Sequence, residues 1–342
     1  FALAARTAGT ADNIPGEREP RHVARPRSRH LRGRGVMEVG SGASRGWSHI
    51  GIIKALLAEG IKPDVVCGTS VGAIIGGSYV AGNMEALEEW VLSSTRSDVL
   101  KFFEVKIPQS GVVDTKRLSW FLHKYVAGEG QRIEDLDTKF AAVSTDLETG
   151  REVWLTEGGI ADAVRSSMAM PGLFPAVRID DRWLVDGGLV NPVPVSTCHA
   201  LGADVVIAAN LNRGIISKRS YRANKEAEQE SVSLDESEDG NSFLKSFKQQ
   251  AIEYSSNIFT ARDKKDEPPK LMFAIANSIN IFQDRITRSR LAGDPADIVL
   301  SPQVSDIGML EFHRASEAIE EGERCVGQHM AQIERLLGGR LG

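Results

Sequence analysis

Asp64-Val65-Val66-Cys67-Gly68-Thr69-Ser70-Val71-Gly72-Ala73-Ile74-Ile75 begins as an apolar run suited to a buried strand, breaks at Gly68, and continues without a loop as a second, small-residue apolar run. The chain has to turn sharply between the two. Gly68, Ser70 and Gly72 give the spacing G-x-S-x-G, in which flanking glycines let a serine occupy a strained strand-to-helix turn. Ser70 is therefore expected at a sheet edge, beside the N-terminus of the helix that starts near Val71. Three fixed positions in five arise by chance. The strand before them and the apolar helix after them make Ser70 a candidate nucleophile.

Upstream lies Gly40-Ser41-Gly42-Ala43-Ser44-Arg45-Gly46-Trp47-Ser48-His49-Ile50-Gly51. A glycine-rich loop opening into a helix exposes several backbone N–H groups and so forms an anion cradle. The anion is either a dinucleotide pyrophosphate or the oxyanion formed when a serine attacks an ester. A dinucleotide fingerprint needs a third glycine at position 45 and an acid at the end of the next strand. Position 45 is arginine, and the next strand ends in Gly68-Thr69-Ser70, with Asp64 at its start. The oxyanion reading is favoured, with Gly40, Ser41, Gly42, Ala43, Ser44, Arg45 and Gly46 as candidate hole residues. The plainer reading of Arg45 is a surface residue tying down the loop.

Further along, Asp186-Gly187-Gly188 follows the apolar strand Trp183-Leu184-Val185. A carboxylate at the end of such a strand is a poor structural choice unless something binds it. A helix N-cap is the plain alternative, but Pro192 and Pro194 disfavour an immediate helix. In this order the G-x-G-x-x-R-G loop, G-x-S-x-G and Asp-Gly-Gly resemble the patatin-like phospholipases, in particular bacterial members related to the catalytic domain of neuropathy target esterase. The resemblance runs from about Val36 to the C-terminus. It takes in Ala142-Val143-Ser144-Thr145-Asp146-Leu147-Glu148-Thr149-Gly150 and Pro171-Gly172-Leu173-Phe174-Pro175. It implies a three-layer α/β/α fold around a mostly parallel sheet. It also implies hydrolysis of lipid carboxylic esters by a Ser–Asp dyad, with Ser70 as nucleophile and Asp186 as proton acceptor. In the family the Phe-Pro loop lies near the lipid pocket, making Met168, Met170, Leu173 and Phe174 candidate acyl-chain contacts. An ordinary core edge explains them equally well.

Composition agrees with an ordinary soluble globular protein. The 342 residues are 42% hydrophobic and 25% charged, with a net charge of −5 that leaves no nucleic-acid footprint. Cys67, Cys198 and Cys325 are few and widely spaced, which argues against a disulfide framework or a zinc site and favours a reducing, cytoplasmic location. Cys67 reads as a core residue. No cofactor or metal is needed for the chemistry, and no clustered ligand set is evident. No stretch approaches the roughly 20 apolar residues of a membrane span, so any membrane contact is expected to be peripheral.

Residues 1–35 are rich in arginine and proline without apolar periodicity and are expected to be disordered. They lack the apolar core of a secretory signal, and an upstream extension is preferred over an organellar address. Residues 36–342 are expected to form the hydrolase domain. Within it, Ile50, Ile53 and Leu57 define a core-facing helix, Lys139–Leu147 and Val153–Leu155 a strand pair, and Val177–Val185 a hairpin turning at Asp180-Asp181. The acidic, serine-rich stretch at about 217–270 reads as a mobile insertion. Ile275, Ile279, Phe282 and Ile286 then fall on one helical face beside Arg285, Arg288 and Arg290. That face is either a plain surface helix or a basic edge towards anionic headgroups. Phe312 to Leu337 reads as one long amphipathic helix.

Two rival functions stand beside the dyad. An α/β-hydrolase triad needs a histidine after the acid, for which His199, His313 and His329 are available in no recognisable context. His49, on the helix leaving the glycine loop, reads as a satisfied helical histidine. A regulatory or partner-binding protein on the same fold is the other rival. The substrate expected is a lipid or phospholipid, of phospholipase A or lysophospholipase type.

Overall fold

The computed structural model describes residues 35–40, 42–95, 115–212, 271–308 and 311–338. The expected N-terminal extension, apart from Gly35, and the expected insertion at about 217–270 lie outside these residues, as does Ser41.

Among the described residues, eight strands form one mixed sheet. They are β1 (Gly35–Val39), β2 (Val65–Thr69), β3 (Lys139–Asp146), β4 (Glu152–Leu155), β5 (Val177–Ile179), β6 (Arg182–Asp186), β7 (Val205–Ala209) and β8 (Ile298–Leu300). The parallel centre runs β3-β2-β1-β7-β8, while β4, β5 and β6 pair antiparallel. The helices are α1 (Ser48–Ala58), α2 (Val71–Val80), α3 (Met84–Ser93), α4 (Thr115–Tyr125), α5 (Ile160–Ser167), α6 (Val195–Ala200), α7 (Leu271–Gly293) and α8 (Ala315–Gly338).

Alternation along the central strands sorts their side chains into two cores. Val66, Ile207 and Phe140 join α1, α2, α4, α5 and α8 in the larger one, whereas Val65, Cys67, Val206 and Ala208 join α6 and the end of α7 in the smaller. Helices thus cover both faces, and the architecture is the three-layer α/β/α fold. On the larger face α1 and α8 cross very closely. A Cβ on Gly51 would strike the Ile319 carbonyl, and one on Gly322 the Ser48 carbonyl. Phe312–Arg314 is a separate 3-10 turn, so the C-terminal helix begins later than its apolar spacing suggests.

One feature of the sheet positions the site. β4 pairs with Ala142–Thr145 and therefore takes the β3 edge opposite both β2 and β6. β2 ends with Thr69 opposite Val143, and β6 ends with Asp186 opposite Ser144. The two strands consequently meet end to end along one edge of β3. Each delivers its last residue to the same point.

α7 departs from its sequence pattern. From Ser278 onward, where its side chains are described, Asn280, Gln283, Asp284 and Thr287, spaced i, i+3, i+4 and i+7, are the buried residues, while Phe282 is 60% exposed and Ile279 and Ile286 are half-buried. No helix among the described residues is long and apolar enough to cross a membrane.

Candidate active site

Ser70 has φ 58° and ψ −122°, a left-handed conformation that a serine adopts only when its surroundings enforce it. The enforcement comes from both sides. Gly68 lies so close to Gly72 and Ala73 that a side chain there would collide with backbone, and the Ser70 N–H is captured by Ser167 Oγ at 3.0 Å. Ser167, the last residue of α5, passes its own proton to the Val143 carbonyl at 2.6 Å. The turn is thereby tied to β3. α2 starts directly after Ser70, so its dipole points a partial positive charge at the hydroxyl.

Ser70 Oγ donates to Asp186 Oδ2 at 2.7 Å. The second carboxylate oxygen, Oδ1, accepts the Gly188 N–H at 2.7 Å and so caps a 3-10 turn over Gly187–Leu189. The N-cap reading of Asp186 thus holds alongside the pairing with serine. The Asp186 backbone is fixed by its N–H to the Ala169 carbonyl (3.0 Å) and by Thr145 Oγ1 donating to its own carbonyl (2.9 Å). Gly187 is obligatory here, since a Cβ would run into the Val143 carbonyl oxygen. Asp186 is 1% exposed, and burial pushes its carboxyl up from 3.8 to about 6 although the bonds from Ser70 and Gly188 pull the other way.

The glycine loop closes the site from the β1 side. Gly40 and Gly42 pack against the end of β7 and the residues after it, where a Cβ on Gly40 would lie 2.7 Å from the Ala209 carbonyl and one on Gly42 2.7 Å from Leu211 Cδ1. Ala43–Trp47 then form a 3-10 turn leading into α1, with Ser44 and Gly46 buried. Arg45 is not a surface residue: it is 2% exposed, its Nε donating to the Gly42 carbonyl (3.2 Å) and its Nη2 to Asn280 Oδ1 on α7 (3.2 Å). It does tie down the loop, from inside. Its anchor lies 235 residues away, which no local pattern announces.

His49 is fully buried and donates from Nε2 to the Gly40 carbonyl at 2.9 Å, and burial lowers its pKa to about 4. It is a neutral prop for the loop. His199 sits in α6 and His329 in α8, where Nδ1 bonds the Cys325 carbonyl; His313 lies in the 3-10 turn before α8. Among the described residues, the hydrogen-bond partners of Ser70 and Asp186 are each other, Ser167, Thr145, Gly188 and backbone groups, with no histidine among them.

Met168 is buried, Met170, Leu173 and Phe174 are partly so, and the Ala169–Asp186 bond brings this stretch beside the carboxylate. Ser167 is the residue that sequence reasoning passed over. Its position at the end of α5, before Met168 and Pro171, was the available signal. All three cysteines are buried, and none of them forms a disulfide. Among the described residues no group of acidic, cysteine or histidine side chains is arranged to hold a metal.

A mixed sheet between helical layers, with a serine on a strained strand-to-helix turn, defines an α/β/α protein with an elbow at Ser70. The family model for patatin-like phospholipases matches residues 39–199, so this part of the chain is a patatin-like phospholipase domain. It is therefore a lipid ester hydrolase. An uncharacterized NTE family protein of Mycobacterium tuberculosis is 29% identical over 332 residues, spanning 87% of this chain and 92% of the relative. Lysophospholipase nte1 of Emericella nidulans is 32% identical over 200 residues, covering 54% of this chain and 12% of that protein. Human patatin-like phospholipase domain-containing protein 6 is 30% identical over 183 residues, covering 52% and 13%. Among solved structures, VipD from Legionella pneumophila aligns with a TM-score of 0.31 at 14% identity over 88% of this chain and 77% of its own.

Proposed function

We propose that the protein hydrolyses the carboxylic esters of phospholipids or lysophospholipids through a Ser70–Asp186 dyad and an acyl-enzyme. The observation that carries this reading is the 2.7 Å bond from Ser70 Oγ to a buried carboxylate. Asp186 takes the hydroxyl proton as Oγ adds to the ester carbonyl. The protonated carboxyl then returns that proton to the leaving alcohol. Water attacks the acyl-enzyme with Asp186 again as base, releasing the fatty acid and restoring the serine. A carboxyl raised to about 6 is a far better base for this than one at 3.8.

The Ser70 N–H is occupied by Ser167, so the oxyanion would rely on N–H groups of the Gly40–Gly46 loop and of Val71, with the α2 dipole behind them. Asp186 meets Ser70 directly through Oδ2, the position a triad would give to histidine, and a backbone donor holds its other oxygen. The similarity to lysophospholipase nte1 supports a lysophospholipid or phospholipid substrate. Residues 36–342 would act as one catalytic unit, on the cytoplasmic side and peripheral to the membrane, with no resident cofactor.

A fluorophosphonate probe tests the assignment. It should label one serine, and Ser70→Ala should abolish the label. Labelling that persisted in folded Ser70→Ala would refute it.

A further inference from the structure

We propose that the outer face of α7, together with Trp183 of the β5–β6 hairpin and the adjoining Leu147, docks on an anionic lipid bilayer and brings the Ser70 site to its surface. This inference rests on the lipid-hydrolase reading for its purpose, while its observations are independent. α7 is inside out. Its inward face is the polar set ending at Thr287, and Gln283 Nε2 and Thr287 Oγ1 lie buried there without hydrogen-bond partners. Its outward face carries Ile281, 45% exposed, and Phe282, 60% exposed, with Arg285 and Arg288 also exposed. A helix packed on a globular core has the opposite arrangement.

The face lies at the catalytic end of the sheet. Asn280 grips Arg45 just past the carboxyl end of β1, and Arg290 bonds Glu152, opposite Thr145 near the carboxyl end of β3. Leu147 and Trp183 occupy the same end. They are joined by the Leu147 N–H to the Trp183 carbonyl (2.8 Å) and are 56% and 45% exposed. Leu147 is three residues beyond Ser144, the partner of Asp186, or about 10 Å further out along the strand direction. Apolar side chains and arginines thus stand at the end of the sheet that carries Ser70. Tryptophan and arginine beside aliphatic groups match the headgroup layer of a bilayer.

Charge selects the occupant. The chain is net negative, at −5, so attraction to an anionic surface has to be local, and α7 supplies it. Arg288 bonds Asp284 at 3.0 Å, but that carboxylate is buried beneath the face and the arginine is 64% exposed. A second copy of the chain fits poorly, because a two-fold contact would set the Arg285 and Arg288 pairs against each other.

The test uses full-length Ser70→Ala, which binds without turnover, and sedimentation with vesicles of phosphatidylcholine alone or mixed with phosphatidylglycerol. Partitioning should favour the anionic vesicles, and brominated lipid should quench fluorescence that Trp183→Phe removes. Ile281→Ser with Phe282→Ser should weaken partitioning by at least about tenfold. Arg285→Gln should weaken it by about fivefold on anionic vesicles only. In the Ser70 background the same changes should leave turnover of a soluble ester intact. Equal partitioning to both vesicles, partitioning indifferent to these substitutions, or a solution dimer that they dissociate would each overturn the proposal. Vesicle binding by a protein whose Ser70 form proved inactive would refute the hydrolase reading and leave the docking surface standing.

Discussion

Replacing Asp186 with asparagine should abolish turnover and at the same time make the protein more stable at neutral pH. The side chain is 1% exposed, and burial lifts its carboxyl from 3.8 to about 6. In the unfolded chain it regains its ordinary value. A group whose folded pKa is raised contributes stability that is complete below the unfolded pKa and lost as pH rises through the folded one. Between about pH 4 and 6, then, ionisation erodes the fold, by about 3 kcal/mol in total at 1.36 kcal/mol per unit. Asparagine is nearly isosteric and stays neutral. It keeps an oxygen for the Gly188 N–H and lets the Ser70 hydroxyl turn to accept from its amide. Urea unfolding of wild type and Asp186→Asn from pH 4 to 8 should show midpoints that converge near pH 4 and separate, with the variant higher, above pH 6. In parallel, wild-type kcat/KM on a soluble chromogenic ester should fall below a midpoint near pH 6, because protonated Asp186 cannot accept the serine proton. A stability gap independent of pH, or a folded Asp186→Asn that retains turnover, would refute the reasoning.

Gly42→Val should leave a folded protein with turnover reduced about 10²-fold or more, since Leu211 blocks the added side chain and the loop must move away from the developing oxyanion; steady-state kinetics with circular dichroism checks this. Ser167→Ala should cost about 1–3 kcal/mol in unfolding free energy by orphaning the buried Ser70 N–H, and should lower kcat more than it raises KM as the elbow loses its tether. His199→Gln, His313→Gln and His329→Gln should each keep near-wild-type turnover in the same ester assay. His49→Gln should reduce turnover through the Gly40 contact without moving the acid limb, since a histidine held near 4 is neutral throughout the working range.

The parts of the site that local pattern could reveal were those whose geometry is enforced locally. The elbow is one, because a serine at φ 58° needs the small neighbours that G-x-S-x-G displays. The Asp180-Asp181 turn is another: both residues have positive φ, which asparagine, aspartate and glycine tolerate best, and the flanking strands pair as their alternation implies. What escaped was set by partners distant in the chain. Arg45 looked like a surface residue because arginines usually are, and its anchor, Asn280, belongs to a helix 235 positions further along the chain. α7 itself misleads, since its apolar spacing suggests a core face while its buried residues are polar.

The meeting of Ser70 and Asp186 shows why order in sequence was nevertheless informative. Neither residue finds the other through a local turn, for 116 positions separate them. They meet because β2 stops opposite Val143 and β6 stops opposite Ser144 on one edge of β3. Each strand must stop there, the first because the elbow turns into α2 and the second because Gly187 has to press against the Val143 carbonyl. The glycines after the acid and those around the serine therefore solve one problem, that of ending two strands at a single point. A further strand residue at either end would push the partners past each other. In the proposed dyad a base delivered in this way would need no histidine between it and the nucleophile, because the sheet sets the separation and Gly188 sets the orientation of the carboxylate.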